Sequence, residues 1–156
     1  MTLRTALLAL ASFAAAGCAP HRIPGTEIKS TAETRAVYEV VQSYRRAMEK
    51  RDAAAVLALV APTYFDTAGT PEPADDLDRA RLEGALAQDL ARADSVKVDF
   101  TVRKVEIDGD HARVELFYDS YYRVQTPAGA VPRRDSDVHR MTLLKLDGAW
   151  KFVSGL

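Results

Sequence analysis

The chain has 156 residues, of which 47% are hydrophobic and 28% charged, and its formal net charge is −1. This length suits one domain with its own hydrophobic core. The near-neutral charge excludes a protein that binds nucleic acid through a basic surface, and no acidic tail is present. Cys18 is the only cysteine, so the chain forms no internal disulfide.

The N-terminal residues 1–17 have the pattern of a bacterial lipoprotein signal peptide. Arg4 gives a basic start, residues 6–16 are apolar, and small residues lead into Cys18. The apolar stretch is too short to span a bilayer, which takes about 20 residues. We expect cleavage before Cys18 and attachment of lipid to its thiol. The alternative is an ordinary secreted protein in which this cysteine has no such role.

A tether is expected over residues 18–29, because two prolines and a glycine interrupt this segment and no apolar period runs through it. Residues 30–156 then form the domain. Lipid on Cys18 would place the protein on a membrane of the bacterial cell envelope. The alanine at position 19 favours the outer membrane over the inner one.

Three segments carry apolar side chains at helical spacing. The first helix, over residues 30–50, begins with Ser30 and Glu33 in a capping-box pattern. Asp52 can cap a short second helix, and the third helix is expected from about Ala74. The apolar positions that define these helices are Val37, Val40, Val41, Tyr44 and Met48, then Val56, Leu57 and Val60, then Leu82, Leu86 and Leu90.

After the third helix, apolar and polar side chains alternate as in β-strands. The parity of this alternation changes near Arg103 and Lys104, which predicts a bulge. Asp-Gly pairs at residues 108–110 and 147–148 predict tight turns, and a longer connection is expected over residues 126–132. The predicted fold class is α+β, with three N-terminal helices packed on a curved antiparallel sheet of about four strands.

Three short motifs carry a family resemblance over about residues 32–156. They are Val-Val-Gln-Ser-Tyr at residues 40–44, Tyr-Phe-Asp-Thr-Ala-Gly at residues 64–69, and Asp-Gly-Ala-Trp-Lys at residues 147–151. Their order resembles the nuclear transport factor 2-like superfamily, which includes SnoaL-like proteins and ketosteroid isomerases. The chain is also similar to uncharacterised bacterial lipoproteins of that fold. The resemblance implies a cone-shaped pocket and dimerisation through the sheet.

The resemblance to the isomerases implies a catalytic pair. Tyr44 matches their oxyanion donor and Asp66 matches their base, which suits proton transfer and enolate stabilisation in an apolar pocket. Their second acidic donor falls at Thr142, which lacks that acidity. The structural alternative is that Tyr44 packs in the core and Asp66 caps a local turn. The candidate pocket residues are Tyr44, Tyr64, Asp66, Tyr118, Tyr122 and Trp150.

Two acidic clusters lack the spacing of a metal site. Asp135 and Asp137 share one strand face with His139, and we expect surface ion pairs between the aspartates and His139 or Arg140. Residues 72–78 place acidic side chains before the third helix, where its dipole favours them. We therefore expect neither a metal nor a cofactor.

The aromatic side chains of the second strand indicate two different faces. Phe117 and Tyr121 should point away from Tyr118 and Tyr122, and an exposed aromatic face would mark a binding surface. The expected function is non-enzymatic binding of a small apolar ligand or a partner protein. The alternatives are an isomerase-like or cyclase-like enzyme, and a structural module that forms homodimers through its sheet.

Overall fold

The computed structural model describes residues 21–156, so the predicted signal peptide and Cys18 lie outside the described residues. The elements are α1 (Ala32–Glu49), α2 (Ala53–Ala58), β1 (Phe65–Asp66), β2 (Leu77–Asp78), α3 (Arg79–Arg92), β3 (Ala93–Asp108), β4 (His111–Thr126), β5 (Gly129–Leu146) and β6 (Ala149–Ser154). An antiparallel sheet follows the helices with strand order β3-β4-β5-β6, which confirms the α+β class. A two-stranded sheet, β1-β2, separates the second and third helices, so the helices do not form one N-terminal block.

Side-chain caps set the beginnings of the first two helices. Thr31 is the N-cap of α1, since its hydroxyl accepts from the backbone N–H of Thr34 at 3.1 Å. The Thr34 hydroxyl accepts from the Thr31 N–H at 2.9 Å, which completes the capping box. The predicted box of Ser30 and Glu33 is therefore wrong by one residue. The predicted cap of α2 is confirmed, because the Asp52 carboxylate accepts from the Ala55 N–H at 2.9 Å.

The third helix begins later than its acidic flank suggested. α3 starts at Arg79 instead of near Ala74, because Asp78 is its N-cap and accepts from the Arg81 N–H at 2.8 Å. Asp78 also pairs with β1 in the small sheet, which excludes the preceding residues from the helix. The predicted inward stripe of α3 is buried and consists of Leu82, Leu86 and Leu90.

No helix within residues 21–156 is long and apolar enough to cross a membrane.

A bulge in β3 gives the large sheet part of its bend. The pairing with β4 shifts between Val102 and Lys104, which leaves Arg103 as the extra residue. The bulge predicted from the change of parity is therefore confirmed.

The connection between β4 and β5 is shorter than predicted. Thr126 pairs directly with Gly129, so the expected loop over residues 126–132 is mostly strand. Pro132 is tolerated inside β5 because β6 pairs with β5 only from Thr142 onward. The first half of β5 is consequently an edge of the sheet. At an edge, the missing N–H of a proline does not cost the sheet a hydrogen bond.

The segment before α1 is folded from His21 onward. Ile23 and Ile28 are only 4% and 6% exposed and belong to the main hydrophobic cluster. A turn with Gly25 at φ +77° brings the two isoleucines together, and the Ser30 N–H donates to the carbonyl of His21 at 2.7 Å. Residues 21–29, predicted as part of the tether, therefore pack against the domain through Ile23 and Ile28, and two residues, 19 and 20, separate Cys18 from His21 in the sequence.

Candidate functional site

A cavity of about 490 Å³ lies between α1, α3 and the inner face of the sheet. It forms at the end of the domain where α3 gives way to β3. This volume lies in the range of small-molecule sites, roughly 300–1,000 Å³. Its apolar wall includes Met48, Leu90, Val96, Val98, Phe100 and Met141. Its polar wall includes Tyr44, Tyr118, Ser120, Tyr122 and His139, with Asp89 and Arg92 on α3.

Strand register decides which aromatic side chains reach the cavity. Tyr118 pairs with Phe100, and Tyr122 pairs with Val96, on the inner face of the sheet. Tyr121 has the other parity and is 44% exposed on the outer face. There its ring lies under the Arg134 guanidinium, 4.8 Å from the ring centre. The predicted division of the aromatic residues between the two faces is therefore confirmed.

Tyr44 presents a neutral phenol to the cavity. Its ring stacks on Phe100 with the ring centres 5.8 Å apart and meets Phe152 edge-on at 5.6 Å. Burial raises the pKa of Tyr44 to about 12, so the hydroxyl keeps its proton at neutral pH. Within residues 21–156 no hydrogen-bond partner of this hydroxyl occurs. A bound ligand could therefore use it as donor or acceptor.

Tyr118 joins two residues of β5 at the cavity wall. Its hydroxyl donates to the Asp135 carboxylate at 2.5 Å, and its ring meets His139 edge-on with ring centres 4.3 Å apart. Burial and this hydrogen bond raise the pKa of Tyr118. Burial lowers the pKa of His139 below 6.5, although the carboxylates of Asp137, Asp135 and Asp66 act in the opposite direction. A neutral imidazole is therefore the main form at neutral pH.

The ion pairs predicted for this part of β5 do not form. Asp135 accepts from Tyr118, and Arg140 lies near Glu115 on the outer face at 3.7 Å. His139 shares its parity with the aspartates, as predicted, but lines the cavity. The shared parity of Asp135, Asp137 and His139 could be read from the sequence. Their position beside Tyr118 could not, because it depends on the register between β4 and β5.

Asp66 serves as a structural acceptor. One carboxylate oxygen accepts from the Ala68 N–H at 2.8 Å, as in a local turn, and the other accepts from the Gly155 N–H. The Tyr64 hydroxyl also donates to Asp66, at 3.4 Å, and to the Leu156 carbonyl at 3.3 Å. The contacts of Asp66 therefore match the structural alternative, in which its carboxylate caps a local turn.

Trp150 lies at the other end of the domain. Its indole N–H donates to the Glu33 carboxylate at 3.1 Å, and the Lys145 ammonium donates to the same carboxylate at 2.8 Å. The structure therefore brings some of the sequence candidates together and separates others. The cavity wall includes Tyr44, Tyr118 and Tyr122, while Tyr64, Asp66 and Trp150 lie outside it.

The described part of the chain contains no group of three metal-ligating side chains close enough to hold an ion. Two of the acidic residues before α3 have local partners: Asp75 accepts from the Thr70 hydroxyl at 2.8 Å, and Asp78 caps the helix.

No protein-family model matches the sequence, and no curated protein matches it. Solved structures do share the fold. A protein from Streptomyces avermitilis described as a dehydratase of the nuclear transport factor 2-like family superposes with a TM-score of 0.66 at 17% identity, over 79% of this chain and 93% of the other. One from Novosphingobium aromaticivorans described as a scytalone dehydratase gives 0.68 at 15% identity, over 79% and 80%.

A ketosteroid isomerase-like protein from Erwinia carotovora atroseptica gives a TM-score of 0.65 at 16% identity, over 81% of this chain and 95% of that one. At such identities the similarity concerns the fold and leaves the activity open. The expected resemblance is confirmed at this level: the chain has the nuclear transport factor 2-like fold.

Proposed function

We propose that the protein is a lipid-anchored binder of a small, mainly apolar molecule, which the cavity between α1, α3 and the sheet would hold. The observation that carries the proposal is the composition of this cavity. Its wall is mostly aliphatic and aromatic, and a few neutral polar groups, among them Tyr44, Tyr122 and His139, lie on it. The charged residues of the lining, Asp89 and Arg92, are exposed on α3. An apolar enclosure with a few fixed polar groups is typical of small-molecule sites.

The contacts of Asp66 favour binding over an isomerase-like reaction with Asp66 as base. A general base has to reach the substrate from the cavity wall. Both carboxylate oxygens of Asp66 already accept backbone hydrogen bonds, from Ala68 and from Gly155. Tyr44 is among the residues that line the cavity and Asp66 is not, which favours a binding role for the cavity over catalysis by this pair.

The proposed location follows from the lipobox pattern at Cys18. Lipid on this residue would hold the protein on a membrane of the bacterial cell envelope, with the outer membrane favoured by Ala19. Two or more acyl chains make such anchoring stable, since each buried methylene contributes about 0.8 kcal/mol.

An enzyme of the dehydratase or isomerase type is the second candidate, and the contact between Tyr118 and His139 favours it. Both side chains line the cavity, and a neutral imidazole there could take up a proton from a bound substrate. Some structural neighbours are described as dehydratases or as ketosteroid isomerase-like. In this alternative His139 is the base and Asp66 keeps its structural role.

Native mass spectrometry of the full chain, purified in detergent from the membranes of a bacterial host, tests the binding proposal. We expect a reproducible extra mass beyond that of the lipidated protein. Val96→Trp would fill the cavity and should remove this mass. Lys97→Trp places the same bulk on the exposed outer face and is the matched control. Equal ligand content in the two variants, or none in the parent protein, would contradict the proposal.

A further inference from the structure

We infer that the domain stands upright on the membrane, with its cavity at the end that faces away from the lipid. We call the end formed by residues 21–31 and the turns at residues 108–110 and 147–148 the anchor end. The cavity end contains the C-terminal part of α1 and the β4–β5 turn. The inference rests on the proposed lipidation of Cys18 and names a lipid surface as the partner of the anchor end.

The first step is the reach of the chain between lipid and fold. His21 is held by the hydrogen bond from the Ser30 N–H, and Ile23 is buried, so the chain is attached to the fold at His21. Cys18 lies three residues before it. Such a segment spans at most about 11 Å. The headgroup region of one leaflet takes up about 5–8 Å of this distance. The anchor end therefore has little room to lift away from the bilayer.

The second step is that the start of α1 and the turns at residues 108–110 and 147–148 lie together at the anchor end. The Glu33 carboxylate accepts from Lys145 and from Trp150, which ties the first turn of α1 to the β5–β6 hairpin. The backbone N–H of Lys145 donates to the Asp110 carbonyl at 2.8 Å, which adds the β3–β4 turn. The folded segment that follows the anchor leads directly into this end.

The third step places the cavity at the opposite end. Glu49, the last residue of α1, accepts from the Val98 N–H at 3.4 Å, and Arg51 donates to the Ala93 carbonyl at 2.6 Å. The end of α1 thus meets the start of β3, and Ala93 and Met48 line the cavity. From Glu33 to Met48 the helix rises about 22 Å, at about 1.5 Å per residue.

The fourth step concerns charge. Arg22 pairs with Glu27 at the anchor end, and the exposed turns add Asp108, Asp110 and Asp147. Basic and acidic side chains mix there, so attraction to anionic headgroups is not what orients the domain. The short tether sets the orientation, which should not depend on salt or lipid charge. The ligand would then exchange with the aqueous phase at the cavity end, nearly three Debye lengths of about 8 Å each from the anchor end at physiological salt.

Fluorescence quenching on vesicles tests the orientation. Because lipidation consumes the thiol of Cys18, a second cysteine gives a single labelling site in the full lipidated chain. Asp108→Cys and Glu27→Cys place a fluorophore at the anchor end, and Ala128→Cys places it in the β4–β5 turn at the cavity end; all three side chains are exposed. The vesicles contain phosphatidylcholine with a nitroxide on its headgroup.

We expect severalfold stronger quenching at positions 108 and 27 than at position 128, at low and at high salt. Insertion of ten Gly and Ser residues after Ala19 should reduce the difference. Equal quenching at all three positions of membrane-bound protein would overturn the orientation and leave the anchoring intact. Cys18→Ala is the control for anchoring. If the parent protein is found in the soluble fraction, as Cys18→Ala is expected to be, both the anchoring and the orientation are wrong.

Discussion

The Asp66 carboxylate accepts a hydrogen bond from the backbone N–H of Gly155, which ties the loop after α2 to the end of β6. The same carboxylate accepts from the Ala68 N–H and from the Tyr64 hydroxyl, so one side chain closes the loop and fixes the chain after the last strand. These contacts account for Asp66 by its contribution to stability. Asp66 is also not among the residues that line the cavity.

Asp66→Asn should therefore destabilise the fold and leave ligand binding intact. The amide has one oxygen in place of two acceptors, so one backbone N–H loses its partner at a cost of about 1–3 kcal/mol. Thermal unfolding and native mass spectrometry of the same sample would show a lower Tm with unchanged ligand content. Asp110→Asn, at an exposed turn, is the control. A variant of unchanged stability that loses ligand or activity would instead favour Asp66 as a catalytic base.

Gly155→Ala should be more damaging than most surface substitutions. Gly155 has φ +91°, and a Cβ there would lie 2.3 Å from the Arg140 carbonyl oxygen and 2.7 Å from the Met141 Cα. The positive φ and the backbone overlap together should cost about 2–4 kcal/mol. Urea unfolding measures this cost. Gly84→Ala, on α3 where a Cβ meets no atom within 4 Å, is the matched control and should be neutral or slightly stabilising.

Acid should weaken the junction between α1 and the β5–β6 hairpin through Glu33. The hydrogen bond from Lys145 is the main cause that lowers the pKa of Glu33 below its ordinary value of 4.5, and Trp150 adds to it. The folded state thus binds this proton less readily than the unfolded chain does. The stabilisation is complete above about pH 4.5 and is lost as the pH falls through the lower folded pKa.

Glu33→Gln should therefore flatten the loss of stability that the parent protein shows as the pH falls below about 4.5, because glutamine has no proton to take up. Urea unfolding at several pH values measures this slope. Glu83→Gln, on the exposed side of α3, should keep the slope of the parent protein. A parallel pH profile for Glu33→Gln and the parent would show that this junction does not contribute to acid sensitivity.

Local patterns predicted the parts of the fold that depend on neighbours in sequence. The change of parity at Arg103 predicted the bulge, and the Asp52 cap and the leucine stripe of α3 follow from spacing alone. The β4–β5 connection was predicted too long, because Pro132 and Gly129 break most strands. Only the pairing of β5 shows that this half is an edge, where proline costs little.

The site depended on contacts that have no local signature. Asp66 and Gly155 are 89 positions apart, and Tyr118 and Asp135 are 17 apart, so no spacing rule joins them. Ile23 lies in a segment without an apolar period, and its packing in the main hydrophobic cluster has no local sequence signal. Sequence reasoning therefore identified Tyr44, Tyr118 and Tyr122 as pocket candidates but could not exclude the others.

Ligand affinity should fall in mild acid because of His139. Burial keeps its pKa below 6.5, and the nearby carboxylates of Asp135, Asp137 and Asp66 only partly oppose this effect, so the imidazole is neutral at pH 7. Protonation would place a charge on the wall of a mainly apolar cavity, which disfavours an apolar ligand. The ligand-free protein then binds the proton more readily than the complex. Affinity should therefore be constant above about pH 7 and decrease as the pH falls through the pKa of His139.

The bound fraction seen by native mass spectrometry between pH 5 and pH 8 would measure this dependence. His139→Gln should bind the ligand with little change across that range, because glutamine carries no proton to gain. His111→Gln, at the exposed start of β4, should behave like the parent protein. A decrease of affinity in acid that His139→Gln retains in full would show that a group other than His139 causes it. If His139→Gln retains the ligand but abolishes turnover of a substrate, the result supports the dehydratase or isomerase alternative, with His139 as its base.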